Sequence, residues 1–239
     1  MADQPIVSAA KTIINLGNTH TTVGSWIGAG WANLRTIDTQ SFKLDMVDLS
    51  HPVLVASVVP AWSAELQKHK NVRLLSPAHC SGRIDFSLVD ASTIGADRVA
   101  NAIALAEFYP LPALVIDCGT AITIEIVDEQ RRFRGGAIAP GRSLMRRALN
   151  SGTAQLPSLP LYSQIFDRPG CDTANSLRFG IDCGAIGMVR ELLAQCRRQY
   201  AISSCCLTGG DAEFFAAAMP ELIKTPADFT LQGIRLGMS

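Results

Sequence analysis

The chain has 239 residues but no C-x-x-C pair and no clustered histidines, and those absences argue against ribbon or finger zinc sites. It has no run of about 18 apolar residues, so no membrane span is expected. Met1 to Lys11 carry an acid early and lack an apolar core of signal-peptide length. Neither charge is in excess: 21 basic residues face 21 acidic ones. That balance offers no broad attraction to nucleic acid or to an anionic membrane. The clusters Arg131-Arg132 with Arg134, and Arg146-Arg147, read as solvated faces. The seven cysteines are odd in number, and Cys205-Cys206 sit in the apolar run Ile202 to Leu207. They read as reduced core thiols, which implies a cytoplasmic location. What the chain does have is a hydrophobic fraction of 48% against 18% charged, the balance of a globular core.

Strand-like and helical runs alternate. Thr12-Ile13-Ile14 leads into a glycine turn, and Thr21 to Trp26 resumes a β-rich pattern. Pro52 to Val59 is an apolar run suited to a strand buried on both faces. A helix is predicted from Pro60 to His69, with Pro60 in its first turn. Another runs from Ala96 to Phe108, ended by Pro110 and Pro112. Leu114-Val115-Ile116 opens a new strand, which sets a domain boundary at Tyr109 to Ala113 and predicts domains over 1–112 and 113–239.

The second half opens as the first does. Asn15-Leu16-Gly17-Asn18-Thr19 aligns with Asp117-Cys118-Gly119-Thr120-Ala121, 102 residues further on (15 to 117). Val53 to Leu66 and Cys205 to Met219 form a second matching pair, each a strand followed by a helix. Two repeats in the same order predict a duplicated α/β fold; a single doubly wound domain is the alternative.

The chemistry follows from the turns. A polar residue at a strand end followed by glycine brings backbone N–H groups close to a phosphate. Neighbouring hydroxyl and amide groups add hydrogen bonds, and the Asp117 carboxylate suits a cation. Asp97, in the first turn of a helix, favours the helix dipole, which keeps its carboxylate ionised and able to accept a proton from an alcohol. Arg98 beside it offers a planar fork for a carboxylate or phosphate. Gly135 to Gly141 reads as a strand with a glycine-rich entry, packed tightly around a site. Thr208-Gly209-Gly210-Asp211 ends a strand ahead of a helix near Ala212 and admits a base or ribose against its backbone.

In this order and spacing the motifs resemble the type III pantothenate kinases. The resemblance rests on Gly95 to Arg98, on Asp117 to Ala121, and on Gly135 to Gly141 continuing through Leu144, Ala148-Leu149, Thr153-Ala154 and Leu156-Pro157. Thr208 to Gly210 and Leu231 to Ile234 also fit. It implies duplicated ribonuclease-H-like domains of the actin and sugar-kinase superfamily, and ATP-dependent phosphorylation of pantothenate. It makes Asp97 the general base and gives pantothenate to Gly95, Ala96, Asp97, Arg98 and Thr173. It gives ATP to Asn15, Leu16, Gly17, Asn18, Thr19, His20, Thr21 and Thr22, with Thr120, Gly209 and Gly210. Asp117 then holds potassium or another monovalent cation, magnesium accompanies ATP, and the protein is a homodimer. Leu177, Ile181, Gly184 and Met188 share one helical face, with Gly180 and Gly187, and suit either a dimer contact or packing within one subunit.

Three positions depart from the family pattern. Asn15 stands where the first loop has aspartate, Glu125 stands for an aspartate in the second, and Phe86 and Leu88 occupy the neighbourhood of an expected tyrosine. Asn15 keeps the shape without the charge that attracts magnesium, so a catalytically impaired ligand-binding or regulatory homologue is the alternative reading.

Overall fold

The computed structural model describes residues 11–80 and 82–238, so the reading of the first residues falls, Lys11 apart, outside them. In chain order the elements are β1 (Lys11–Leu16), β2 (His20–Trp26), β3 (Trp31–Asp38), β4 (Val53–Ser57), α1 (Pro60–Leu66), β5 (Val72–Leu74) and α2 (Ala96–Phe108). Then come β6 (Ala113–Cys118), β7 (Ala121–Val127), β8 (Phe133–Pro140), α3 (Arg142–Ser151), α4 (Thr173–Gln199), β9 (Ser204–Thr208), α5 (Ala212–Ala218), β10 (Ile223–Lys224) and α6 (Phe229–Gly237). Val53 to Ala56 are buried along β4, as a two-sided apolar run requires. Pro60 takes the first position of α1, where its missing N–H costs nothing. Asp97 lies in the first turn of α2, whose buried face includes Val99, Ile103 and Leu105.

Among the described residues the strands form two five-stranded sheets, ordered β3-β2-β1-β4-β5 and β10-β9-β6-β7-β8. Reversing the second gives the first, strand for strand. The pairings agree too. β1 is antiparallel to β2 and parallel to β4, while β6 is antiparallel to β7 and parallel to β9. The repeat of Asn15 and Asp117 is therefore a repeat of place, since each lies near the end of its sheet's central strand.

By internal contact the chain divides into two units, one running to Glu107 and resuming at Asp228, the other spanning Phe108–Ala227. The division falls close to the boundary predicted near Tyr109. The closing residues differ from the prediction, which placed them in the second domain: α6 packs on β1 and β4 of the first sheet. The physical reason is a close fit. A Cβ added at Gly233 would lie 1.9 Å from the Ala100 carbonyl oxygen, so α6 meets α2 backbone to backbone. Thr230 Oγ1 donates to Asn101 Oδ1 at 2.7 Å, and Trp31 Nε1 donates to Asp228 at 2.6 Å.

Each unit has its own core. Ile14, Leu16, Val55, Leu66 and Phe42 pack together in the first. Ile116, Ile124, Leu207, Phe215 and Val189 do so in the second. Cys206 is fully buried on β9, and burial pushes its thiol up to about 12, as expected of a core cysteine. The seven cysteines are free, and among the described residues no helix is long and apolar enough to cross a membrane.

Candidate active site

In the first unit the turn after β1 is held by short hydrogen bonds. Gly17 N donates to the His20 carbonyl at 3.0 Å, and Thr39 Oγ1 donates to the Gly17 carbonyl at 2.7 Å. The hydroxyls of Thr21 and Thr39 lie 2.9 Å apart and bury one another. Asn15 pairs with Thr22 across the hairpin and with Ala56 of β4. The Val58 N–H, just past β4, donates to the Leu16 carbonyl at 3.1 Å. Val58 also touches the second motif, with its methyl 3.4 Å from where a Gly95 Cβ would stand. The β1 turn and Gly95 to Asp97 are thus joined through one residue at the ends of parallel strands.

Gly95 is there to make room. A Cβ on it would lie 2.7 Å from Asp97 Oδ1. That oxygen accepts the Arg98 N–H at 2.8 Å, which folds the carboxylate over the helix start. Burial raises the proton affinity of Asp97, and the hydrogen bonds and positive charge of Arg98 oppose it only in part. The predicted balance therefore shifts: desolvation outweighs the dipole, and Asp97 becomes a stronger base than a free aspartate.

In the second unit three turns meet. Asp117, near the end of β6, lies between Thr123 of β7 and Thr208 of β9. Gly209 has φ +92°, and a Cβ there would lie 2.4 Å from Asp117 Oδ1 and 2.7 Å from Cys118 N. Only glycine allows this approach. Gly141, after β8, donates to the Thr120 carbonyl at 3.0 Å, and its own Cβ would lie 2.2 Å from the Gly119 carbonyl oxygen. Asp211 N donates to the Cys118 carbonyl at 2.9 Å. Asp117, Thr120, Gly209 and Gly210 are in this way gathered around one strand end. Sites on open α/β sheets form at such ends.

Thr173 takes the first position of α4 after the N-cap Asp172, whose carboxylate accepts the Asn175 N–H at 2.8 Å. It lines a cleft of about 760 Å³ with Pro140, Leu144, Leu149, Leu156 and Leu177. Of the departures, Glu125 is buried in β7, Phe86 belongs to the core, and Leu88 is exposed.

The sequence reading missed a buried charge cluster. Arg142 and Asp182 are both 0% exposed and bonded at 2.9 Å, and Asp211 joins them. Arg146 is buried beside them, with Nη2 3.5 Å from Asp182. The solvated face predicted for Arg146-Arg147 is corrected by half, because only Arg147 is exposed. The acidic partner of Arg146, Asp182, lies in α4, and no local pattern announces it. Of the other cluster, Arg132 pairs with the buried Asp128 at 2.8 Å.

A duplicated mixed sheet with glycine turns at both central strand ends places the chain in the fold class of the actin and sugar-kinase superfamily. Two solved structures share it at low identity. One is a conserved Baf family protein of Campylobacter jejuni, titled a candidate transcriptional activator (TM-score 0.65, 18% identical, covering 95% of this chain and 96% of that one). The other is the activator of 2-hydroxyisocaproyl-CoA dehydratase from Clostridium difficile (TM-score 0.54, 10% identical, 95% of each chain). The type III pantothenate kinase family model matches residues 12–195, and the chain belongs to that family. The type III pantothenate kinase of Thermomicrobium roseum is 32% identical over 249 residues, 93% of this chain and 94% of that one. That of Caulobacter vibrioides is 32% identical over 244, covering 92% and 94%.

Proposed function

We propose that this protein transfers the γ-phosphate of ATP to the hydroxyl of pantothenate, giving 4′-phosphopantothenate at the opening of coenzyme A synthesis. The observation that carries this reading is Asp97, half-buried beside Gly95 with its proton affinity raised. The proton of the alcohol passes to Asp97. The oxygen bonds to the γ-phosphorus, and the bond to the β–γ bridging oxygen breaks as ADP leaves. Gly95, Ala96, Arg98 and Thr173 hold pantothenate. Residues Asn15 to Thr22, with Thr120, Gly209 and Gly210, hold ATP.

Magnesium and a monovalent cation fit the donors present. Asp117, flanked in register by two threonines, offers the oxygen ligands that hard cations take, and Asn15 offers an amide oxygen without charge. When bound, such cations neutralise charge on the phosphates. The protein works as a cytoplasmic homodimer. The support for the dimer is α4, whose exposed Gly180, Gly184 and Gly187 would meet nothing within 4 Å if given a Cβ. Gly180 also lines the apolar cleft with Leu144 and Leu149, and a second copy would cover it.

A coupled assay of ADP release tests the reading, with magnesium and potassium and with pantothenate beside a panel of sugars. Release confined to pantothenate is expected. Release with a sugar and not with pantothenate would move the acceptor. Asn15 favours one other reading, a ligand-binding homologue without turnover. Nucleotide binding with no product, restored to turnover in Asn15→Asp, would support that one.

A further inference from the structure

The buried arginine Arg142 donates five side-chain hydrogen bonds in the second unit, and no role in the proposed reaction accounts for it. It is 0% exposed and opens α3, immediately after Gly141. Its Nη1 donates to both oxygens of Asp211, at 2.8 and 3.0 Å. Its Nε and Nη2 donate to Asp182 Oδ1 at 3.1 and 2.9 Å, and Nη2 also donates to the Tyr162 carbonyl at 2.8 Å. The guanidinium carbon lies 3.3 Å from the ring centroid of Phe214 in α5. Asp182 in turn accepts the Phe166 N–H at 3.2 Å with its other oxygen.

Two features say that this arrangement is more than packing. A cation in the first turn of a helix opposes the helix dipole, so the position works against a charge unless the charge is wanted. Buried ion pairs, moreover, add little stability over apolar residues of the same volume. What the network does supply is geometry. Arginine's planar fork fixes direction where lysine would not. One arm reaches Asp211, the residue that follows Gly209-Gly210 and itself donates to the Cys118 carbonyl. The arginine's own backbone follows Gly141, which is bonded to Thr120. The other arm is anchored in the rigid helix α4 through Asp182.

We propose that Arg142 is a positioning residue for nucleotide binding, acting through Asp211 to hold the Gly209-Gly210 turn in register with the Gly119-Thr120 turn. This rests on the assignment of those turns to ATP. Arg142 does not touch the nucleotide. It fixes one turn against the other by tying both to α4, so that backbone N–H groups stand ready before the ligand arrives. Without it the turn must be ordered by the nucleotide itself, and affinity falls by that ordering cost.

The test is ADP binding by calorimetry to the full-length wild type, Asp211→Asn and Arg142→Lys, with thermal melts alongside. Asp211→Asn keeps the shape of the side chain but removes its charge and one of the two oxygens that accept from Arg142, so it weakens only the arm to the turn. It guards the test if Arg142→Lys fails to fold. The expected result is about tenfold weaker ADP binding in Asp211→Asn, and in steady state a raised KM for ATP with the KM for pantothenate within about twofold of wild type. A lower melting temperature with ADP affinity unchanged would make the network structural only and overturn the proposal. So would a wild type that binds no ADP. Turnover of the wild type with pantothenate, scored separately, shows whether the functional reading falls with it.

Discussion

At the scale of the residue, Asp97 carries the clearest expectations. Burial lifts its pKa above the ordinary aspartate value of 3.8. A general base must be ionised, so kcat/KM is lost as pH falls through that raised value. The acid limb of the pH–rate profile should therefore lie above 3.8, and a limb at or below it would remove the desolvated base from the account. Asp97→Asn keeps an oxygen to accept the Arg98 N–H but cannot take a proton. It should lower kcat by about 100-fold or more, the usual contribution of general-base catalysis. Stability moves the other way. A carboxylate whose folded pKa is raised loses stability as pH rises through it, because the ionised form is easier to keep in the unfolded chain. Asp97→Asn should then melt no lower than wild type at neutral pH, and a differential scan will tell.

Among the elements, α6 and α2 set a contest between two small effects. Replacing a helical glycine by alanine ordinarily stabilises by up to about 1 kcal/mol. At Gly233 the new Cβ would strike the Ala100 carbonyl oxygen at 1.9 Å, and neither backbone can give way cheaply. Overpacking of this kind costs about 1–3 kcal/mol, so Gly233→Ala should lower the denaturation midpoint. The same pair shows what the sequence can and cannot tell. The bounds of α2, Ala96 to Phe108, are legible because Gly95 precedes it and prolines follow. The turns at Gly17 and Gly209 are legible because glycine there has a steric reason. The return of α6 to the first sheet is not, since an apolar helical face does not record which sheet it covers. Nor are the burial of Arg142 and Arg146 legible, because Asp182 and Asp211 are distant in the chain and charge in a helix reads by default as solvated.

Across the whole molecule, the two sheets have one topology and the two turns unequal charge. Asp117 has kept a carboxylate where Asn15 has an amide, so magnesium and ATP should be held less tightly than in an aspartate-bearing relative. Asn15→Asp should lower the magnesium concentration needed for half-maximal rate, which a titration at fixed ATP would show. The glycines exposed along α4 give a test of assembly that spares the fold. Gly184→Arg meets open space in one subunit and improves helix propensity, so the chain should stay folded. Light scattering should then report a dimer for the wild type and a monomer for the variant. An unchanged mass would place the contact elsewhere.

The central claim is that Asp97 takes a proton from pantothenate's hydroxyl while ATP gives up its γ-phosphate. Mass spectrometry of 4′-phosphopantothenate formed by the wild type and by Asp97→Asn, at saturating ATP, magnesium and potassium, tests it most directly. The account predicts steady product from the wild type and about a hundredth as much or less from the variant. A well-folded wild type that makes no product, or a variant that makes as much, would contradict it.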